Sequence, residues 1–175
     1  MSRPHVWIVG FPRCGSASLC EALRILGWNP IHNPRHWDQL EGHNAAGDVM
    51  ITAPWRQLAC MFPRSRIILN TRSFASWTQS LRRIPGFWRS GFLYDRYYRQ
   101  AVYGTDDPAD VETLRRAWEA HHADVQRTIP HRQLLVFPQP FAWEPLCAFL
   151  GLSVPSAPFP WLNRRSNSDA VVRMQ

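Results

Sequence analysis

The chain has 175 residues, 45% of them hydrophobic, and a formal net charge of +7. That length suits one domain with a substantial core, and that apolar content argues against an intrinsically disordered chain. No apolar run is long enough to span a bilayer, and all twenty basic residues are arginine, which rules out lysine Schiff-base or lysine-nucleophile chemistry.

In chain order, residues 5–10 read as a buried strand and 16–27 as an amphipathic helix closed by Gly27. Residues 28–37, WNPIHNPRHW, are turn-rich. Asp48 to Thr52 is a second strand candidate, and Trp55 to Phe62 a short helix started by Pro54. RIILN at 66–70 is the strongest strand signal and ends in Thr71-Arg72, and Phe74, Trp77 and Leu81 give 73–83 helical spacing. Residues 84–108 mix prolines, glycines and aromatics and read as a helical insertion with loops. Residues 109–129 form the longest predicted helix, with Asp110 or a neighbour as its cap. QLLVF at 133–137 is another buried strand, and 142–152 another helix, before a proline-rich tail ending in WLNRRSNSD.

Strands alternate with helices throughout, and short apolar strands of this kind belong to a parallel sheet covered on both faces. The expected fold is therefore a three-layer α/β/α domain with a central parallel sheet, one domain over 1–175. In such sheets, ligands gather outside the carboxyl ends of the strands. Two basic positions fall there, the loop after the first strand and Arg72. Arginine's planar fork suits phosphate and sulfate oxygens, so the expected partner is an anion.

The four cysteines, Cys14, Cys20, Cys60 and Cys147, form neither a metal knuckle nor a C-x-x-C pair. A reducing, cytoplasmic compartment is expected. The N-terminus runs almost at once into the first strand, so a cleaved leader is not expected.

The loop reads GFPRCGSASL from Gly10 to Leu19. Strand, glycine-bearing loop and helix make a P-loop-like unit, and Gly10 and Gly15 have the spacing of G-x-x-x-x-G-K-[ST]. Ser16, however, stands in place of the lysine and Ala17 in place of the magnesium-binding hydroxyl. A nucleoside triphosphate kinase or hydrolase therefore lacks two of its usual groups here.

Pro12-Arg13-Cys14-Gly15-Ser16 resembles the P-[KR]-x-G-[ST] segment of sulfotransferases, and RIILNTRSFASWTQS resembles their later strand, with Arg72 followed by Ser80 eight residues on. Trp77-x-x-Ser80, His121-x-x-x-Val125 and WEPLCAFLGL extend the resemblance to a short sulfotransferase subgroup over nearly the whole chain. The resemblance implies 3′-phosphoadenosine 5′-phosphosulfate (PAPS) as donor, no metal, and a small-molecule acceptor rather than a nucleic acid or membrane. It implies that Pro12, Arg13, Cys14, Gly15, Ser16, Ala17 and Ser18 hold the 5′-phosphosulfate, and Arg72 and Ser80 the 3′-phosphate. Arg164 and Arg165 are candidates to close over that phosphate. Arg13 takes the place of the lysine that many members direct at the leaving oxygen. The sulfuryl group carries less charge than a triphosphate, so backbone N–H groups, the helix dipole and one cation suffice without magnesium.

Where the subgroup usually reads Asp-x-Pro ahead of the arginine strand, this chain reads Thr52-Ala53-Pro54, and threonine is no base at neutral pH. The candidate bases are His32, His36 and Asp48, with His43, His121 and His122 behind them. Asp48 is expected on one strand with Thr52. No histidine spacing matches a metal-ligand set. Among nine tryptophans and other aromatics, Phe87, Trp88, Phe92, Tyr94, Tyr97 and Tyr98 cluster in the predicted cap at 84–108, which suits an aromatic or apolar acceptor. The competing readings are a non-catalytic anion-binding protein on the same scaffold and a P-loop kinase.

Overall fold

The computed structural model describes residues 3–83 and 93–162. Five parallel strands form one sheet in the order β2-β3-β1-β4-β5. They are β1 (Val6–Ile8), β2 (Pro30–His32), β3 (Ala45–Gly47), β4 (Arg66–Thr71) and β5 (Leu134–Pro138). The helices are α1 (Ser16–Ile25), α2 (Val49–Thr52), α3 (Trp55–Met61), α4 (Phe74–Arg82), α5 (Leu93–Tyr103), α6 (Val111–Thr128) and α7 (Trp143–Leu150).

Alternation along β1 divides the core. Val6 and Ile8 face α1 and α7, where Leu19, Leu23, Trp143 and Leu146 complete one cluster. Trp7 and Val9 face α3 and α6, against Trp55, Leu58, Val125 and Ile129. A three-layer α/β/α arrangement follows from that period of two. A third cluster lies beyond the carboxyl end of β1. There Phe11 and Cys14 pack with Trp77 and Leu81 of α4, Tyr103 of α5, and Leu114 and Trp118 of α6. Among the described residues, no helix is long and apolar enough to cross a membrane.

Three sequence expectations change. Asp48 to Thr52 is not a strand: Asp48 accepts the Val49 N–H at 2.7 Å and opens the single turn of α2, which buries Met50 and Ile51. The strand is Ala45–Gly47 instead. It lies inside the sheet, paired on both sides, and its small side chains carry no branched or aromatic strand signal. The turn-rich 28–37 segment contains β2, an edge strand of three residues. The predicted buried strand at 133–137 is the opposite edge, and of β5 only Phe137 is buried. Residues 93–103 of the expected cap are helical, whereas 84–92 lie outside the described residues. Asp110 caps α6 by accepting the Thr113 N–H at 3.1 Å.

His121 and His122 on α6 are structural. His121 Nε2 lies 2.8 Å from the Val9 carbonyl, and His122 Nε2 lies 2.8 Å from Thr71 Oγ1. Burial lowers the His121 pKa from 6.5 to about 4. The unfolded chain therefore takes up a proton below pH 6.5 that the folded chain refuses until about 4. His121 leaves stability intact above pH 6.5 and lowers it progressively as pH falls toward 4, by about 3 kcal/mol at the lower end. Urea unfolding of the native protein and of His121→Gln between pH 7.5 and 4.5 should show a shallower acid loss in the variant. Parallel curves would contradict this account.

Candidate active site

The loop from Gly10 to Gly15 is fixed by its carbonyls. Thr52 Oγ1 donates to the Gly10 carbonyl at 2.8 Å, Trp77 Nε1 to that of Pro12 at 3.0 Å, Arg72 Nη1 to that of Arg13 at 3.2 Å, and Asn70 Nδ2 to that of Cys14 at 3.1 Å. The Phe11 carbonyl accepts the Cys14 N–H and the Gly15 carbonyl the Leu19 N–H. Asn70, fully buried, also accepts the Gly10 N–H at 2.9 Å. A Cβ on Gly10 would lie 1.9 Å from the Asn70 carbonyl oxygen, so only glycine allows this approach. Phe11, Pro12 and Cys14 are buried, while Arg13 is exposed with φ 74° and Gly15 adopts φ 87°. A Cβ on Gly15 would lie 2.6 Å from the Phe141 ring.

Gly15 gives α1 no side-chain cap, and the first turn has no acidic residue. The first N–H groups of a helix have no intrahelical partners. Those of α1 border a cavity of about 240 Å³ lined by Gly15, Ser16, Ala17 and Ser18, together with Arg13, His32, Asp48, Arg72 and Ser80. Among the described residues, neither Arg13 nor Arg72 forms an ion pair. Arg72 is oriented by Ser76, which accepts from its Nε at 3.0 Å and from its Nη2. Two cations without carboxylate partners beside an uncapped helix start have the chemistry that suits an anion.

Across the cavity, His32 at the end of β2 meets Asp48 just past β3. His32 Nε2 lies 3.2 Å from Asp48 Oδ2 and 3.0 Å from Ser16 Oγ, and Ser16 Oγ donates to Asp48 Oδ2 at 3.5 Å. Burial disfavours the Asp48 charge. The hydrogen bond and charge of His32, with the Val49 N–H and Ser16, outweigh it and hold the carboxyl below its ordinary range.

Nine of the residues singled out in the sequence thus share one cavity. Pro12 and Cys14 do not line it. They anchor the loop from below, and burial pushes the Cys14 thiol far above its usual pKa. His36 is also apart: it opens a 3₁₀ turn over 37–40 as its N-cap, its N–H donating to Gln39 Oε1 at 3.2 Å. His43 Nδ1 lies 3.1 Å from the Asn29 carbonyl, away from the cavity lining. Asp48 does not sit on a strand with Thr52, which is buried beneath Gly10. Arg164, Arg165, Phe87, Trp88 and Phe92 lie outside the described residues, as do the Tyr94 and Tyr98 side chains, while Tyr97 is exposed. Sequence reasoning missed Ser76, Gln139, Trp161 and Leu162. Gln139, directly after β5, could have been found by the strand-end rule. Trp161 and Leu162 could not, because their place depends on the Leu162 N–H reaching Ser18 Oγ at 2.9 Å.

A family model described as a sulfotransferase domain matches residues 32–168. The chain belongs to the sulfotransferase domain family. The match begins after the phosphate-type loop, so the loop geometry is a separate observation. This sulfotransferase-family chain is 25% identical over 218 residues to the "Ava biosynthesis cluster protein M" of Aspergillus versicolor, over 96% of this chain and 83% of that protein. Its fold is similar to that of a sulfotransferase from Alicyclobacillus acidocaldarius, with TM-score 0.57 and 18% identity over 98% of this chain and 90% of that one.

In this family member Asn70 fixes both ends of the loop. Asn70→Ala should leave the Gly10 N–H and the Cys14 carbonyl buried without partners. Each such group costs about 1–3 kcal/mol, so urea unfolding should register a loss of about 2–6 kcal/mol. A loss below about 1 kcal/mol would mean that the loop does not depend on these bonds.

Proposed function

We propose that the protein transfers a sulfuryl group from PAPS to a hydroxyl or amine of a small acceptor, without a metal. The observation that carries this reading is the pair of anion sites on one cavity: the uncapped start of α1 with Arg13, and Arg72 with Ser80. A donor with phosphates on two sides of one ribose suits such a pair. The N–H groups of Ser16, Ala17 and Ser18 take the 5′-phosphate. Ser18 Oγ accepts from Leu162, which leaves its own proton to donate. Arg72 and Ser80 take the 3′-phosphate.

The donor supplies an activated sulfur–oxygen bond. The acceptor oxygen or nitrogen bonds to sulfur as the bond from sulfur to the phosphate oxygen breaks, and the desulfated bisphosphate leaves. Arg13 stabilises the charge that grows on the leaving oxygen. His32 takes the acceptor's proton. Arg13 is always charged, so it stabilises this oxygen without donating a proton to it. The missing lysine and Ala17 count against a kinase. The aromatic residues between 84 and 104 favour an apolar or aromatic acceptor.

Calorimetry without metal should give micromolar binding of adenosine 3′,5′-bisphosphate, about 8 kcal/mol, and at least tenfold weaker binding of AMP. Equal affinities would sink the two-site assignment. Arg72→Ala should weaken the bisphosphate by about one to two decades and AMP much less, because a charged hydrogen bond is worth about 1.5–3 kcal/mol.

Arg13→Ala should lower turnover by about two to three decades while bisphosphate binding falls less. The assay is transfer from PAPS to a panel of phenols, alcohols and amines, followed by chromatography. Tight bisphosphate binding with no transfer to any acceptor would favour a non-catalytic binding protein.

A further inference from the structure

We propose that Asp48 is a positioning residue that binds the Nε2 proton of His32, leaves Nδ1 as the basic atom, and ties that base to Ser16 of the phosphate loop. The inference rests on the sulfotransferase reading above. An ionised carboxylate can only accept hydrogen bonds. With Oδ2 of Asp48 at 3.2 Å, a neutral His32 carries its proton on Nε2. Nδ1 then holds the free lone pair, and among the described residues it has no hydrogen-bond partner. Ser16 Oγ touches both groups, 3.0 Å from Nε2 and 3.5 Å from Oδ2. The other charged groups on this cavity, Arg13 and Arg72, belong to the phosphate sites.

The backbone supplies an independent argument. Asp48 has φ 97° and ψ −175°, a region that is essentially glycine's alone. Fold stability does not require aspartate there. Glycine would relieve the strain, and it is itself a favoured helix cap, little worse than aspartate. The ion pair is partly exposed, with side chains 36% and 19% accessible, and pairs of that kind add little stability. In this chain a carboxylate occupies a glycine conformation, against His32 and beside the phosphate loop. Arg13, on the lining of the same cavity, is also a non-glycine residue at positive φ, 74°. Strain of this kind gathers where a side chain must be aimed.

The test compares the native protein with Asp48→Gly and Asp48→Asn. Two-bond ¹H–¹⁵N correlation spectra should show neutral His32 as the Nε2–H tautomer in the native protein. Asp48→Asn should lose that preference, because an amide can also donate to Nε2. Asp48→Gly should melt at or above the native temperature. Both variants should lose about two decades in kcat, the size of a general base's contribution. Both should bind adenosine 3′,5′-bisphosphate equally or more tightly, because a negative charge beside the cradle is gone. An Nδ1–H tautomer in the native protein would overturn the proposal. Melting of Asp48→Gly several degrees lower, or unchanged kcat in both variants, would do the same. If no acceptor supports turnover in the native protein, the sulfotransfer reading fails by itself. The tautomer and the melting temperatures then still decide the role of Asp48.

Discussion

The functional end of this molecule depends on where six carbonyls point. Every carbonyl from Gly10 to Gly15 is engaged by a donor of the protein itself, four of them by the side chains of Thr52, Trp77, Arg72 and Asn70. Each of these carbonyls is held toward a donor of the protein itself, so its direction is set by the fold. The uncapped N–H groups of α1, the helix dipole and two arginines set the local potential. The buried anchors Phe11 and Cys14 make that orientation part of the core, so the cradle is formed before any ligand arrives. Preorganisation of this kind avoids reorganisation during the reaction.

The same bonds give Thr52 a physical role. The resemblance implies an acidic residue at this position, where this chain has threonine. In the fold, Thr52 is buried at the end of α2, with its hydroxyl on the Gly10 carbonyl. Its contribution is to the loop rather than to proton transfer. Among the described residues, the imidazole and the carboxylate that line the cavity are His32 and Asp48, at the carboxyl ends of the two strands on the far side of β1. The parallel order of the sheet brings these chain segments together, because the carboxyl ends of β2, β3, β1 and β4 all open on one side.

Arginine without lysine also shapes the site. Arg72 spans from Ser76 to the Arg13 carbonyl with three of its nitrogens, a use of the guanidinium fork that an ammonium could not match. It therefore supports the loop and faces the cavity at once. Arg13, held at positive φ by the bond to its carbonyl, has its side chain exposed above the helix start.

The sequence by itself determined the alternating strands and helices and the strand–loop–helix unit at the start of the chain, and the resemblance singled out Arg72 and Ser80, which line one cavity. Periodicity and glycine spacing are local properties, and the strand-end rule converts them into a site. Tertiary structure decided the rest. Ala45–Gly47 is a strand only because β1 and β2 flank it, and the chain turns at Asp48 into the helix Val49–Thr52, which buries Met50 and Ile51. His32 was indistinguishable from His36 in a turn-rich stretch, since both are neutral-capable imidazoles a few residues apart. The end of β2 sets one beside Asp48 and Ser16, while the other caps the start of a 3₁₀ turn. Contacts between residues far apart in sequence leave no periodic trace, so which histidine meets a carboxylate is fixed only when the sheet brings its strands into register.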